Sequence, residues 1–284
     1  MEEISDPIES GVDFASTFVP VADGVELRVR TWRPEHADET DPLIFVAGWI
    51  SVIEGWRPLL EVLAPSRVVH YVETREKRSA KFTRNPLRPE DFEVARLADD
   101  LCAVAQALRV DGSRTVWFGS SMGANAILEA LKGDRLPARG AFLVGPNSEF
   151  RFPWWGRPMV RLPAAAYHPA KRFALWYLRN FRVDAKAEPD QMRRYVRTLN
   201  AADPVRLKLS ARAVLDYSVW PDLETATTPV AIAYAPSDIL HGEQEARAIV
   251  DRLPNGRAVE CPSNTYMHRA EVVTEIDEFT ASLA

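Results

Sequence analysis

One serine of the sequence lies between two glycines, at the junction of a predicted strand and a predicted helix. The strand is the β-branched and aromatic run from Thr115 to Phe118, and helically spaced apolar residues begin at Ala124. Between them, Gly119, Ser121 and Gly123 form the pattern G-x-S-x-G. A sharp turn at this pattern lifts the central hydroxyl out of the sheet, and the next helix points its first amides at the place where negative charge develops. We therefore predict that Ser121 is a nucleophile; the alternative, a flexible glycine loop, does not account for the flanking strand and helix.

A serine nucleophile needs a base to take its proton, and the sequence contains five histidines. His268 follows the last predicted strand and precedes the last predicted helix. A loop in that place lies at the carboxyl edge of a parallel sheet, the same edge as Ser121. Of the other four, His36 lies in a charged loop and His70 in a predicted strand, while His168 lies just before a predicted helix and His241 three residues after Asp238. We predict His268 as the base.

The base in turn needs an acid that orients its ring. Asp238 stands three residues after the predicted strand that ends at Ala235, again at the carboxyl edge. Glu149, which follows the preceding strand, and Asp216 are the alternatives. We predict that Asp238 orients His268.

Strands and helices alternate on both sides of Ser121, which predicts an α/β fold with a mostly parallel, doubly wound sheet. The predicted strands are 14–33 as a hairpin, 43–50, 67–73, 115–118, 141–145, 229–235 and 256–261. The predicted helices of this part are 56–63, 91–110, 124–131, 243–252 and 270–283. Between residues 146 and 223 the pattern is only helical and is broken by prolines, which indicates an insertion over the edge of the sheet that carries Ser121.

The order Ser121, Asp238, His268 resembles that of the α/β-hydrolase superfamily, and the resemblance covers nearly the whole chain from Phe14. It is closest in kind to capped serine hydrolases of the esterase, lipase and thioesterase type. The resemblance implies a core domain of residues 1–145 and 224–284, with a helical cap of residues 146–223 inserted before the strand that carries the acid.

The resemblance also implies an oxyanion hole after the strand that ends in Ala47-Gly48, formed by the backbone amides of Trp49 and Met122. Relatives usually carry His-Gly where this chain has Ala47-Gly48, and a backbone donor tolerates that difference. A second departure is the charged run Thr74–Lys81, where many relatives have a glycine-containing turn. The role of this run is open.

A serine at the elbow fits attack on a carbonyl and an acyl-enzyme intermediate, whereas relatives that open epoxides use aspartate there. We therefore predict a serine hydrolase that cleaves a carboxylic ester or thioester with an apolar acyl group, without a metal or a cofactor. One alternative is a hydrolase that cleaves the C–C bond of a diketone-like substrate. Another, of a different class, is a non-catalytic ligand-binding protein on the same fold.

The predicted cap is aromatic and basic. In the predicted helix 169–181, Phe173, Trp176 and Tyr177 share one face, and we expect them to contact the acyl group of a small-molecule ester or acyl substrate. Residues 150–215 contain fourteen Lys or Arg and four Asp or Glu, a net charge of +10, so the rest of the −5 chain carries −15. This asymmetry suits a substrate or surface with an anionic head, such as an acyl-CoA, an anionic lipid or a membrane surface. Solvated arginines opposite a packed apolar face are the simpler interpretation.

Composition limits the remaining classes of function. A net charge of −5 argues against nucleic-acid binding by the whole protein, and no apolar segment is long enough to span a membrane. The first residues are acidic and lack the apolar core of a signal peptide, so a cytoplasmic location is expected. Cys102 and Cys261 form no disulfide framework, and we expect both to serve packing.

Overall fold

The structure is a computed structural model that describes residues 11–36, 40–150, 158, 167–183, 188–236, 238 and 242–283 of the chain. Its strands are β1 (Val12–Ala22), β2 (Val25–Pro34), β3 (Leu43–Val46), β4 (Val69–Glu73), β5 (Lys81–Phe82), β6 (Val116–Ser120), β7 (Gly140–Val144), β8 (Val230–Tyr234) and β9 (Gly256–Glu260). Its α-helices are α1 (Arg57–Leu63), α2 (Val94–Leu108), α3 (Met122–Leu131), α4 (Tyr167–Tyr177), α5 (Pro189–Ala201), α6 (Pro204–Ala213), α7 (Glu243–Val250) and α8 (Val273–Ala281). The acidic residues 1–10 lie outside the described residues.

The strands form one sheet in the order β1-β2-β4-β3-β6-β7-β8-β9. From β4 to β9 every neighbouring pair is parallel, whereas β1 and β2 are antiparallel to each other and β2 is antiparallel to β4. The predicted mostly parallel sheet is therefore confirmed. The short strand β5, which pairs with β2, was not expected, because two residues are too few to show a period in the sequence.

Both faces of the sheet are covered by helices, as expected of a doubly wound fold. Leu43 and Phe45 of β3 pack with α1 and α8 on one face. Ile44 and Val46 of the same strand pack with α2, α3 and α7 on the other. Because successive side chains of a strand point to opposite faces, each central strand contributes to both cores and has a continuous apolar sequence.

Helices α4, α5 and α6 lie between β7 and β8 in the chain, where the sequence predicted an insertion. The predicted helix 169–181 begins two residues earlier, at Tyr167, and continues after Tyr177 as a π-helix, Leu178–Arg182. After α6 the chain returns to the main core, where Val214, Val219 and Leu223 are fully buried. Residues 151–157, 159–166 and 184–187 of the predicted cap lie outside the described residues.

Cys261 is buried in the core and Cys102 is half-buried, and both are free thiols. Burial raises the pKa of the Cys261 thiol to about 12, with Glu275 and Glu260 as smaller causes. Both cysteines therefore behave as packing residues. In a search of the described residues, no helix combined the length and the apolar character that crossing a membrane requires.

Candidate active site

Ser121 occupies a strained turn between β6 and α3. Its backbone has φ 49° and ψ −117°, a region that residues with a side chain rarely adopt. The Ser121 amide donates to the Val144 carbonyl at the end of β7 (2.8 Å), and the Ser121 carbonyl accepts from the Asn125 amide one turn into α3 (3.0 Å). These bonds hold the strained residue at the carboxyl edge of the sheet.

The two glycines of the G-x-S-x-G pattern allow this turn to approach its neighbours closely. A Cβ atom on Gly123 would lie 2.2 Å from the carbonyl oxygen of Val46 in β3, and one on Gly119 would lie 2.9 Å from the backbone of Ala124. Both distances are shorter than any real contact, so the elbow requires glycine at both positions.

His268 ends a 3₁₀ turn, Tyr266–His268, that follows β9. Its Nδ1 lies 2.8 Å from the carbonyl oxygen of Asn264. Because a carbonyl oxygen only accepts, Nδ1 carries the proton, and in the neutral ring Nε2 is the acceptor nitrogen. The ring also stacks on Trp56, with centroids 4.7 Å apart and planes 26° apart. The imidazole is thus held in the tautomer that a general base needs.

Asp238 follows β8 and is buried, with 4% of its surface exposed. Its Oδ2 accepts from the side-chain amide of Asn264 (2.6 Å), and its own N–H donates to the Ala235 carbonyl (3.0 Å). The residue whose carbonyl holds His268 therefore also holds Asp238. Asn264 connects the predicted acid and the predicted base, and sequence analysis missed it.

The remaining polar groups of Asn264 contact the helical insertion. Its N–H donates to Glu188 Oε1 (3.2 Å), and its Oδ1 accepts from the Arg194 guanidinium. Glu188 also accepts from the Thr265 hydroxyl (2.5 Å). Partial burial lowers the pKa of Arg194, and its neighbours Tyr195, Glu188 and Asp238 act in the opposite direction. The loop that carries His268 is thus fastened to α5 and to the residue before it.

The two amides predicted to form an oxyanion hole lie beside the elbow. Gly48 packs against it, since a Cβ there would lie 3.5 Å from Ser121 Cβ. The N–H of Trp49 has no acceptor among the described residues, and its indole N–H donates to Ser210 in α6 (2.8 Å). Met122 is the first residue of α3, so its N–H has no carbonyl one turn earlier to bind.

Asn147, which follows β7, is a second residue that sequence analysis missed. Its side-chain amide lies 3.4 Å from Ser121 Oγ, a long hydrogen bond to the predicted nucleophile. The side chain of Asn125 in α3 holds Asn147 in place. Its Nδ2 donates to the Asn147 carbonyl (2.6 Å), and its Oδ1 accepts from the backbone N–H of Asn147 (3.0 Å). An asparagine in the sequence has no pattern that would have indicated this role.

Four of the alternative bases and acids have described side chains. His36 is exposed after β2, and His70 is within β4, where its ring bonds to the Thr31 hydroxyl (2.9 Å). Glu149 and Asp216 are exposed, and Glu149 forms an isolated bridge with Ser218. His241 and the side chain of His168 lie outside the described residues.

The predicted acyl-binding residues lie on α4. Phe173 and Trp176 are 42% and 53% exposed and stack on each other with centroids 5.6 Å apart, while Tyr177 is half-buried against Phe181. Their contact with a substrate stays a prediction. Where the chain is described, no three His, Cys, Asp or Glu side chains are grouped as they would be to hold a metal ion.

Comparison with known proteins fits this geometry. The family model described as "Alpha/beta hydrolase family" matches residues 43–275. The chain belongs to this family. A relative from Caulobacter sp. (strain K31), named putative carbamate hydrolase RutD, is 25% identical in an alignment of 238 residues, and the match covers 77% of this chain and 81% of the relative.

Solved structures of other hydrolases share the fold of this chain. A hydrolase from Oleispira antarctica has a TM-score of 0.73 at 14% identity, covering 89% of this chain and 94% of its own. The esterase EaEST from Exiguobacterium antarcticum has a TM-score of 0.69 at 18% identity, covering 95% and 98%. At such identities the likeness concerns the fold, and the hydrolase names agree with the prediction of a hydrolase.

Proposed function

We propose that this α/β hydrolase is a serine hydrolase that cleaves a carboxylic ester or thioester with an apolar acyl group. The observation that carries the proposal is the strained backbone of Ser121 at the strand-to-helix turn. Such strain persists only where the surroundings hold it, and it places a hydroxyl at the first amides of a helix. The esterase among the structural neighbours supports the ester bond.

In the proposed mechanism, Ser121 Oγ attacks the carbonyl carbon while Nε2 of His268 takes its proton. The amides of Trp49 and Met122 stabilise the oxyanion of the tetrahedral intermediate. His268 then gives its proton to the departing alkoxide or thiolate, which leaves as an alcohol or thiol, and the acyl group stays bound to Ser121 Oγ. Water, deprotonated by His268, attacks this acyl-enzyme, and His268 returns the proton to Ser121 Oγ as the acid leaves. Asp238 stabilises the imidazolium through its charge, and no metal or cofactor takes part in any step.

We further propose that residues 146–223 are a cap on a core of residues 1–145 and 224–284, and that the cap recognises the substrate. Phe173, Trp176 and Tyr177 would contact the acyl group. A groove of about 830 Å³ on the cap, lined by Arg179, Met192, Arg193, Val196 and Arg197, combines apolar and cationic side chains. That combination supports an amphipathic substrate with an anionic head, such as an acyl-CoA or an anionic lipid.

The proposed catalytic function is tested by Ser121→Ala, with Ser120→Ala as the matched control. Ser121→Ala should lower kcat/KM for a p-nitrophenyl ester roughly 10⁴-fold or more and abolish labelling by a fluorophosphonate probe. Ser120→Ala should keep most of both. His268→Ala should be as damaging as Ser121→Ala, and the double variant hardly worse, because the groups act as a unit.

The outcomes separate the rival functions. Labelling without ester turnover, but with cleavage of a diketone or a carbamate, would move the assignment to those substrates. A wild-type protein that the probe does not label would favour the non-catalytic binding protein. An inactive Ser120 variant beside an active Ser121 variant would place the nucleophile one residue earlier.

The cap proposal is tested by reversing three exposed arginines to glutamate, Arg172, Arg179 and Arg193. KM for an acyl substrate with an anionic head should rise, whereas KM for a small neutral ester should not. Added salt should act in the same way on the wild type, because exposed charges are screened over about 10 Å at 0.1 M ionic strength. Equal losses on both substrates, or no loss on either, would remove the anionic head from the proposal.

A further inference from the structure

The charged run Thr74–Lys81, whose role is open from the sequence, begins with side chains that point into the protein. Thr74, Arg75, Glu76 and Lys77 are between 1% and 8% exposed. Arg75 forms two hydrogen bonds with the buried Asp100 (2.5 and 2.7 Å). Glu76 and Lys77 pair with each other (2.9 Å). A buried ion pair is costly to desolvate and is weak evidence for a stabilising role alone, so the groups that it binds are informative.

Glu76 and Lys77 bind both peptide groups that flank Trp49. Lys77 Nζ donates to the Gly48 carbonyl (3.3 Å), and Glu76 Oε1 accepts from the Ile50 N–H (3.2 Å). The same Gly48 carbonyl accepts from the Ser51 N–H (3.0 Å), which closes a β-turn over Gly48–Ser51. Trp49 is therefore held on both sides by one ion pair.

This turn is strained at its third residue. Ile50 has φ 47°, in the left-handed region that favours glycine and that is a genuine outlier for a β-branched side chain. A strained residue persists only where its surroundings fix it, and such residues cluster at functional sites. The bond from the Ile50 N–H to Glu76 is one such restraint.

The ion pair itself has little freedom. The ammonium group of Lys77 has three protons, and its three partners are the Gly48 carbonyl, the Thr74 hydroxyl (2.7 Å) and Glu76. Thr74 in turn donates to Glu76 (2.8 Å). Burial raises the pKa of Glu76, but the charge of Lys77 and the hydrogen bonds outweigh burial, and the pKa is lowered from its ordinary value. Glu76 is therefore ionised, and its Oε1 accepts from Lys77, from the Thr74 hydroxyl and from the Ile50 N–H.

The direction of the Trp49 N–H follows from the direction of the Gly48 carbonyl. The peptide between them is planar and trans, so the N–H points opposite to the C=O. The carbonyl faces Lys77, while Gly48 itself packs against Ser120 and Ser121. We propose that Glu76 and Lys77 are positioning residues that fix the Trp49 amide as an oxyanion donor. This inference rests on the proposed serine hydrolase function.

The experiment compares Lys77→Met, the double variant Glu76→Gln with Lys77→Met, and the control Lys81→Met. The double variant removes both charges but keeps an oxygen that accepts from the Ile50 N–H. It therefore tests the inference even if Lys77→Met, which leaves the Glu76 carboxylate without a counterion, does not fold. Lys81, in the same run, is exposed, pairs with Glu26 (3.0 Å) and lies over the Phe18 ring, away from Gly48 and Ile50. We measure kcat and KM for a neutral p-nitrophenyl ester and the inhibition constant of an alkylboronic acid, which forms a tetrahedral adduct with a serine.

The expected result is a fall in kcat and in boronic acid affinity of about 10- to 100-fold in the double variant, somewhat less than the loss of a whole oxyanion donor. KM should change less than about threefold, since the substrate's ground state does not use the donor. Lys81→Met should behave as the wild type. A merely structural pair would lower the melting temperature without this selective loss of tetrahedral binding. Folded variants with unchanged kcat and boronic acid affinity would overturn the inference.

A second readout decides the case in which the proposed function itself fails. If the wild type neither hydrolyses esters nor binds the boronic acid, the backbone amide of Trp49 is observed by NMR in protein labelled with ¹⁵N-tryptophan and assigned with Trp49→Phe. In the folded double variant, a shifted Trp49 resonance with faster solvent exchange, beside unmoved resonances of the other tryptophans, supports the positioning role. A Trp49 resonance unchanged from the wild type overturns it.

Discussion

The two halves of the candidate site are built in opposite ways. The elbow, residues 116–131, is positioned by its own backbone and by glycines that fit against β3. The acid–base loops, residues 235–238 and 264–268, are positioned by polar side chains, and two of these, Glu188 and Arg194, come from the helical insertion. The difference shows that the proposed nucleophile depends on close backbone packing, whereas the proposed acid and base depend on a hydrogen-bond network. A substitution that crowds the backbone should therefore disrupt the elbow, whereas one that removes a polar side chain should disrupt the acid–base loops.

The largest effect is expected from Gly123→Ala in the elbow. The new Cβ would lie 2.2 Å from the backbone oxygen of Val46, so α3 or β3 must move. We expect a loss of about 3 kcal/mol in the free energy of unfolding and roughly 100-fold or more in kcat/KM, since the serine moves with the helix. Urea unfolding and ester hydrolysis measure the two effects.

Gly242→Ala is the matched control for that change. A Cβ at Gly242, the residue before α7, meets none of the described residues within 4 Å. Its unfolding free energy and activity should stay near those of the wild type. An active, stable Gly123→Ala protein would show that the elbow does not depend on close backbone contact.

The next largest effect is expected from Asn264→Ala in the acid–base loops. The change leaves the backbone bonds of residue 264 but removes the donor to Asp238 and the acceptor of Arg194. We expect kcat to fall roughly 10- to 100-fold with a smaller change in KM, and the free energy of unfolding to fall by about 1–3 kcal/mol. Steady-state kinetics on a neutral ester measure the first and urea unfolding the second.

Asn255→Ala controls for the loss of an asparagine side chain, since the exposed side chain of Asn255 donates to the Thr227 carbonyl (2.6 Å), and the backbone bond of Asn255 with Val230 is kept. It should keep full activity. If Asn264→Ala is as active as this control, the network around Asn264 does not orient the acid and the base.

A smaller effect is expected from Arg194→Met, which breaks the network from the side of the insertion. Arg194 reaches the acid–base loops only through Asn264 among its described hydrogen bonds, so kcat on a neutral ester should fall by about three- to tenfold. Labelling of Ser121 by the fluorophosphonate probe should slow by a similar factor. The neighbouring Arg193, which is 68% exposed at its side chain and pairs with Asp190, provides the control Arg193→Met. Identical kinetics of the two variants would mean that the insertion does not help to orient the base.

The smallest effect on activity is expected at a histidine in neither half. Burial, with the Arg33 charge as a smaller cause, lowers the pKa of His70 from 6.5 to about 4. Between these two values the unfolded chain binds a proton at His70 that the folded protein does not bind, so stability falls as the pH decreases and is unaffected above 6.5. The loss amounts to at most about 3 kcal/mol at pH 4.

His70→Gln keeps an acceptor for Thr31 and removes this titration. Its unfolding free energy should depend less steeply on pH between 4 and 6.5 than that of the wild type. The dependence of kcat/KM on pH should be the same in the variant as in the wild type, because the proposed base, His268, is unchanged. If the activity profile moves and the stability profile does not, the two histidines have been assigned the wrong way round.

The same contrast explains what could be predicted from the sequence. Ser121, the parallel sheet and the insertion have local signatures: a motif of five residues, apolar runs and helical periods. Asp238 and His268 were predicted from their positions after strands, since parallel strands end at one edge. Asn264 could not be found in this way. Its contacts with Arg194 and Glu188 span 70 and 76 residues and involve single polar side chains, which leave no period in a sequence.

The charged run at Thr74 shows a second limit of sequence analysis. Charged residues in succession usually indicate a solvated surface. Here Arg75, Glu76 and Lys77 are buried, because each binds a partner from another element. Arg75 binds Asp100, and Glu76 and Lys77 bind the turn around Trp49. Burial of charge depends on partners distant in the chain, and a single sequence does not display them.

The fastening of Asn264 to Glu188 and Arg194 limits how this enzyme can be redesigned. Exchanging the insertion for that of another α/β hydrolase is an obvious way to change the substrate of such a protein. Here the exchange would also remove a carboxylate and a guanidinium on which the loop of His268 depends. A transplanted insertion has to carry both groups at matching positions, and a chimera without them should bind its new substrate and turn it over slowly. With the roles proposed here, substrate choice and catalysis therefore depend on the same contacts of this chain.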